Sequence, residues 1–208
     1  MRRANAQLQS DRRTEILDAA ERCFARSGFH QASMQDICAE AGMSPGNLYR
    51  YFPSKEALIA GISERNRAEA VASFAQVDQA PDFFDGLAQL ARHHLVDRTD
   101  SEVGLCAEIM SESRRNADVA RLYHDIESDI KRRIAAMLEV ARGRGEIRAD
   151  VDVEAAATVL MVLGDGMSWR RSVEKGFDAE RVLPLILKMV HCLLAEPGAC
   201  DKSGESEQ

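Results

Sequence analysis

SMQDICAEAGMSPGNLYRYFPSK, from Ser33 to Lys55, is the stretch on which the reading of the chain turns. It holds two helical patterns and a tight turn. Ser33, followed by Asp36 three residues on, has the form of a capping box with Asp in place of Glu. Met34, Ile37, Cys38 and Ala41 then recur at i, i+3, i+4 and i+7, one face of a helix. Gly42 ends that helix, because glycine accepts the left-handed conformation common at helix C-termini. Ser44 is placed to cap a second helix, and Pro45 takes its first position, where a missing N–H costs nothing. Pro53 stops the second helix just after Phe52. Two short helices joined through a glycine predict a helix-turn-helix.

The second helix says what the pair is for. Leu48 and Phe52 are four apart and point inward together. Pro45, Gly46, Asn47, Tyr49, Arg50 and Tyr51 are left outward, with Lys55 just beyond. Helix termini and the side chains of Ser, Tyr, Arg and Lys contact phosphates, whereas Arg, Asn and Gln read base edges. The N-terminal residues of a recognition helix are the ones that enter the major groove. Asn47, Arg50 and Tyr51 are therefore assigned to sequence reading. Ser33, Ser44, Tyr49 and Lys55 are assigned to phosphate anchoring, Gly46 to close approach, and Pro45 to starting the helix. The plainer alternative is a core corner with a solvated polar face.

GMSPGNLYRYFPSKEAL, residues 42–58, behind an S-x-Q-D-I-type helix, resembles the DNA-binding domain of the TetR family of bacterial transcriptional regulators. Ala19, Ala20, Phe24, Gly28 and Phe29 add to the resemblance. It covers roughly the first third of the chain, and the remainder is similar only in architecture. It implies an all-α homodimer with a three-helix DNA-binding head and a variable helical-bundle body. It also implies a body cavity whose occupant changes the spacing of the two heads, and a dimer interface made by the last two helices.

The 208 residues are 45% hydrophobic and 5% aromatic, which suits a helical body with a small head. No run of about 18 apolar residues predicts a membrane span, and no signal peptide is evident, so a cytoplasmic location is expected. Cys23, Cys38, Cys106, Cys192 and Cys200 fit no C-x-x-C or zinc spacing, and most are expected as buried thiols. The formal net charge of −7 divides unevenly: residues 1–67 carry 10 Lys/Arg against 8 Asp/Glu. A mildly basic head on an acidic body predicts docking through the head, with two heads needed for affinity.

The expected organisation is a DNA-binding domain over 1–54 with a flexible basic arm at 1–9, a ligand-binding and dimerisation domain over 55–197, and a disordered tail at 198–208. Ser10 or Asp11 is expected to cap the first helix, whose buried stripe is Ile16, Leu17, Ala20 and Phe24. Arg12 and Arg13 would then sit in its first turn, where the helix dipole disfavours cations; proximity to phosphate is one explanation. Ser54 is expected to cap a helix running from Lys55 to about Val77.

The last two long helices are apolar on more than one face, so each must be covered on more than one side. A second copy can supply one of those covers, and Val159, Leu163, Gly166, Ile186, Met189, Val190 and Leu193 are the candidate interface. Phe74, Phe84, Cys106, Met110, Tyr123, Met137, Met161, Asp165 and Trp169 are candidates to line an effector pocket, with plain core packing as the alternative. Asp165, in the apolar run VLGDGM, needs a partner or a cationic guest. No catalytic constellation, metal-ligand spacing or cofactor motif emerges. The expected function is a ligand-responsive DNA-binding regulator, most simply a repressor released from a near-palindromic operator by a small, largely apolar effector. The alternative is a regulator whose body binds a protein and no small molecule.

Overall fold

The computed structural model describes residues 2–77 and 79–196, with side chains from Leu8 onward. The expected tail at 198–208 lies outside them. Among the described residues nine α-helices follow in order: α1 Arg2–Gln31, α2 Met34–Glu40, α3 Pro45–Tyr51, α4 Lys55–Val77, α5 Phe83–Arg92, α6 Asp100–Ser113, α7 Ala117–Gly143, α8 Val153–Val173 and α9 Ala179–Leu194. A π-helical turn, His93–Asp97, follows α5. The described residues contain no strand, so the fold is all-α.

The chain divides into two compact units: Met1–Ala68 with Thr99–Ile126, and Glu69–Arg98 with Glu127–Gln208. The division is not the expected head and body, because α6 and the start of α7 cluster with the N-terminal helices.

In the first unit the backbone is helical from Arg2, where a flexible arm was expected. Arg13 therefore lies well inside α1, and the dipole conflict expected of its first turn does not arise. Gly28, at φ +75°, breaks α1 before Phe29, a conformation that glycine adopts without steric cost. Ile16, Ala20 and Phe24 from α1, Ile37 from α2, Leu48 from α3, and Leu58 and Ile62 from α4 form one fully buried cluster, joined by Leu105 of α6. Gly61 allows α4 to approach: a Cβ there would lie 2.8 Å from the Phe52 ring and 2.9 Å from Leu17. Ser54 does cap α4, accepting from the Ala57 N–H at 3.2 Å.

The second unit has its own core of Leu87, Leu90, Leu138, Ile147, Ala157 and Leu194, with Met137 fully inside it. Asp152 and Asp178 cap α8 and α9 through N–H bonds from Ala155 and Arg181. Pro184 sits inside α9, where it forgoes one ladder hydrogen bond. Of the expected interface residues, Val190 is buried in this core at 3% exposure, and Leu163 and Ile186 pack against it. Val159, Gly166, Met189 and Leu193 do face outward, together with Val162 and Leu185. Cys23 and Cys38 are buried free thiols, whereas Cys192 is exposed.

Candidate nucleic-acid interface

The outer side of α3 is built by what lies beneath it. Leu48 and Phe52, 0% and 1% exposed, fix the helix to the core. Neighbours on a helix turn through about 100°, so Tyr49 and Arg50 face outward, while Tyr51 packs in part against the core. Ser44, Pro45, Gly46, Tyr49 and Arg50 are exposed, and Asn47 and Tyr51 are half-buried. At Gly46 an added Cβ would meet nothing within 4 Å, so the site is open to a close approach from outside.

The caps are not alike. Ser33 forms the full capping box of α2: Asp36 N–H donates to its hydroxyl at 3.1 Å, and its own N–H and hydroxyl donate to the Asp36 carboxylate at 2.9 and 2.6 Å. Those donations hold the Asp36 carboxyl below its ordinary range. The Ser33 hydroxyl is therefore already engaged as a cap. Ser44 stands at the N-cap of α3 but makes no side-chain capping bond, so its exposed hydroxyl is spare.

Lys55 starts α4 as expected, but its side chain is engaged within the head. Its Nζ donates to the carbonyls of Phe29 at 2.5 Å and His30 at 3.3 Å, and lies 4.5 Å from the centre of the Phe29 ring. The ammonium closes the end of α1, binding two carbonyls that lack ladder partners because the helix stops at Gln31. Glu108 of α6 serves the other side of the same turn, accepting from Phe29 N–H at 3.2 Å. His30 Nε2 lies 2.7 Å from Oε2 of the buried Glu112.

Four arginines of the head are matched. Arg12 pairs with Glu15, Arg22 and Arg26 with Glu40, and Arg65 with Asp18 and Glu21. Hydrogen bonding from Arg22 holds the Glu40 carboxyl low. Burial raises Glu21 despite the opposing pull of Arg65. Among the described residues, Arg13 and Arg50 have no carboxylate at ion-pair distance. Both line a groove of about 530 Å³ between α1 and α3, with Gln9, Ser10, Asn47 and Tyr51. The Arg13 guanidinium lies 4.4 Å from the centre of the Phe52 ring. Gln9 was missed because an arm read as flexible presents no face, and Ser10 because it was read as a helix cap.

The proposed pocket residues divide between the units. Cys106, Met110 and Tyr123 are half-buried in the first. In the second, Phe74, Phe84 and Met161 pack at the edge of its core, Met137 lies inside it, and Trp169 is 51% exposed. Met137 is thus core, and Trp169 faces outward. Burial raises the Asp165 carboxyl. Glu127 is pushed up to about 7, by burial first and then by the negative charge of Asp165. His94 is lowered to about 4 by burial, then by the positive charge of Arg98 and by His93. His93 and His94 are stacked edge-on at 4.9 Å, and Phe84 lies against His191 at 4.3 Å. No group of three or more metal-ligating side chains occurs, and no helix is long and apolar enough to cross a membrane, among the described residues.

Residues 16–62 match the bacterial regulatory proteins of the tetR family, and residues 85–195 match the C-terminal region of BetI-type transcriptional repressors. The HTH-type transcriptional regulator UidR of Escherichia coli (strain K12) is 35% identical over 158 residues, 74% of this chain and 79% of that one. Salmonella enterica GusR superposes with a TM-score of 0.76 at 35% identity, over 88% of this chain and 95% of its own. A Saccharomonospora viridis regulator solved in complex with choline gives a TM-score of 0.78 at 25% identity, over 90% of this chain and 99% of its own.

Proposed function

The chain belongs to the tetR family of bacterial regulatory proteins, and from that premise we propose a cytoplasmic, homodimeric repressor that a small effector releases from a near-palindromic operator. The observation that carries this reading is the outer face of α3, polar and open above a fully buried Leu48 and Phe52. Asn47, Arg50 and Tyr51 read bases; Ser44 and Tyr49 anchor phosphates; Gly46 admits the backbone closely. Lys55 supports the head from within. Two such helices would enter successive major grooves about 34–36 Å apart.

The dimer is assigned to the outward faces of α8 and α9. Val159, Val162, Leu185, Met189 and Leu193 are all more than 40% exposed there. Large apolar side chains grouped on adjoining helices call for a cover, and a second copy covers both at once.

The effector is small and largely apolar, and it binds in the C-terminal region. Phe74, Phe84 and Met161 are adaptable lining residues, and the half-buried Glu127 and Asp165 would favour a positive charge on the guest. Its affinity must differ between the DNA-bound and free states, and DNA must weaken it by the same factor. The test is selection of bound duplexes from a random pool by the full-length protein, then a search for compounds that release them. A protein that selects no sequence in dilute buffer refutes the DNA reading. One that selects a sequence but is released by no compound supports a protein-binding body instead.

A further inference from the structure

We propose that α1 binds DNA directly: Arg13, with Ser10 beside it, holds a backbone phosphate of the duplex in the groove between α1 and α3. The proposal rests on the DNA-binding reading above and extends it to a helix that reading leaves out.

Charge is the first observation. Arg12, Arg22, Arg26 and Arg65 each have a carboxylate within 3.3 Å. Recruiting any of them to DNA means breaking that pair. Among the described residues Arg13 has no such partner, and Glu15, nearby on α1, is held by Arg12 at 2.6 Å. A cation left unmatched at a surface of matched ones is where an anion gains most.

Preorganisation is the second. The Arg13 guanidinium lies over the Phe52 ring, and that ring is itself 1% exposed, at the close approach of Gly61. A stacked guanidinium has its plane fixed while its N–H donors still point outward round the edge. That fork geometry suits phosphate oxygens. Ordering a long, flexible side chain normally opposes binding; here the stack has already ordered it.

Position is the third. Gln9 and Arg13 are four apart and share one face of α1, with Ser10 adjoining. This face and the reading face of α3 line the same groove, with Asn47, Arg50 and Tyr51 opposite. A duplex set against α3 therefore brings its backbone to Arg13. The Ser10 hydroxyl, on an exposed residue, is a second donor toward the same oxygens.

The experiment uses the full-length protein and a duplex selected by it. Arg13→Leu keeps apolar contact with Phe52 and removes the charge; Arg13→Lys keeps the charge. Binding is measured from about 50 to 200 mM salt. Arg13→Leu should lose about tenfold in affinity on selected and random duplexes alike, and the salt slope should fall by about one per head engaged. Arg13→Lys should restore most of both. On the wild-type protein, uncharged methylphosphonates placed singly along the duplex should find one position whose neutralisation weakens the wild type but not Arg13→Leu. Should Arg13→Leu fail to fold, Arg13→Gln, which also removes the charge, takes its place in the salt series and in the methylphosphonate scan. An unchanged affinity and slope in Arg13→Leu, beside a weakened Arg50→Ala, overturns the role of α1 and leaves α3 intact. A loss confined to the selected sequence, with an unchanged slope, overturns the phosphate assignment. A wild type that selects no duplex sinks the underlying reading instead.

Discussion

Replacing Lys55 with methionine separates two roles that the sequence alone cannot distinguish. Its ammonium donates to the Phe29 and His30 carbonyls and sits over the Phe29 ring. A hydrogen bond from a charged donor contributes about 1.5–3 kcal/mol, and its removal leaves partly buried carbonyls unsatisfied. The cation–π contact adds about 0.5–1 kcal/mol at a partly exposed site. Methionine keeps most of the aliphatic packing, and water can reach the freed carbonyls in part. The expected net cost is therefore about 2 kcal/mol. Urea unfolding followed by circular dichroism should show the midpoint falling with an unchanged slope. DNA affinity should fall modestly on every duplex, because the end of α1 loosens, while its salt dependence stays as in wild type. The opposite pattern refutes the argument. Unchanged stability with a salt slope reduced by about one per head would mean that Lys55 leaves the carbonyls and contacts phosphate.

Arg65→Met strands the carboxylate of Glu21, which is 8% exposed and held at 2.6 Å; the expected loss is about 3–5 kcal/mol near neutral pH. The loss should shrink in acid as Glu21 takes up a proton, and Glu21→Gln should recover much of it; a loss indifferent to both would point elsewhere. Glu127, raised to about 7, stays protonated in the folded chain after the unfolded chain has ionised near 4.5. Stability should fall as pH rises from about 4.5 to 7 and level off above, by about 1–2 kcal/mol once its half exposure is discounted. Glu127→Gln should flatten that segment of the pH–stability curve, and an unflattened curve would reject the assignment. Met189→Glu places a charge on the outward face of α9, where Met189 is 61% exposed; sedimentation should show a dimer becoming a monomer, and an intact dimer would move the interface elsewhere.

What the sequence disclosed followed the range of the interactions involved. The capping box of Ser33 and Asp36, Pro45 at the start of α3 and the burial of Leu48 with Phe52 are set by spacings of at most four residues, and the structure has all three. Lys55 was misread because its partners lie 25 and 26 residues away, at a helix end that no local pattern marks. Glu108 reaches Phe29 across 79 residues, and nothing near either position announces it. The helical start at Arg2 went unseen for another reason. RRANAQLQ has no apolar period, but Arg, Ala, Gln and Leu are good helix formers, and the helix can propagate from its buried part. In α8 and α9 periodicity correctly marked two apolar faces but could not say which turns inward. Val190 and Met189, adjacent in sequence, went to opposite sides.

Net charge proved a poor guide to the head, and the pairing of its charges explains why. A count of 10 cations against 8 anions in residues 1–67 looks too weak for DNA. Yet matched pairs contribute little to the field beyond about a Debye length, so they drop out of the comparison. Arg12, Arg22, Arg26 and Arg65 are matched in this way, and Lys55 is spent on carbonyls. The unmatched guanidiniums that line the α1–α3 groove, Arg13 and Arg50, set the potential that an approaching backbone meets there. Among the described side chains, two guanidiniums in one groove give only modest general attraction for nucleic acid. On the proposed reading, affinity then comes from the fit of α3 to particular bases and from two heads engaging together, and discrimination between sequences follows from the same economy of charge.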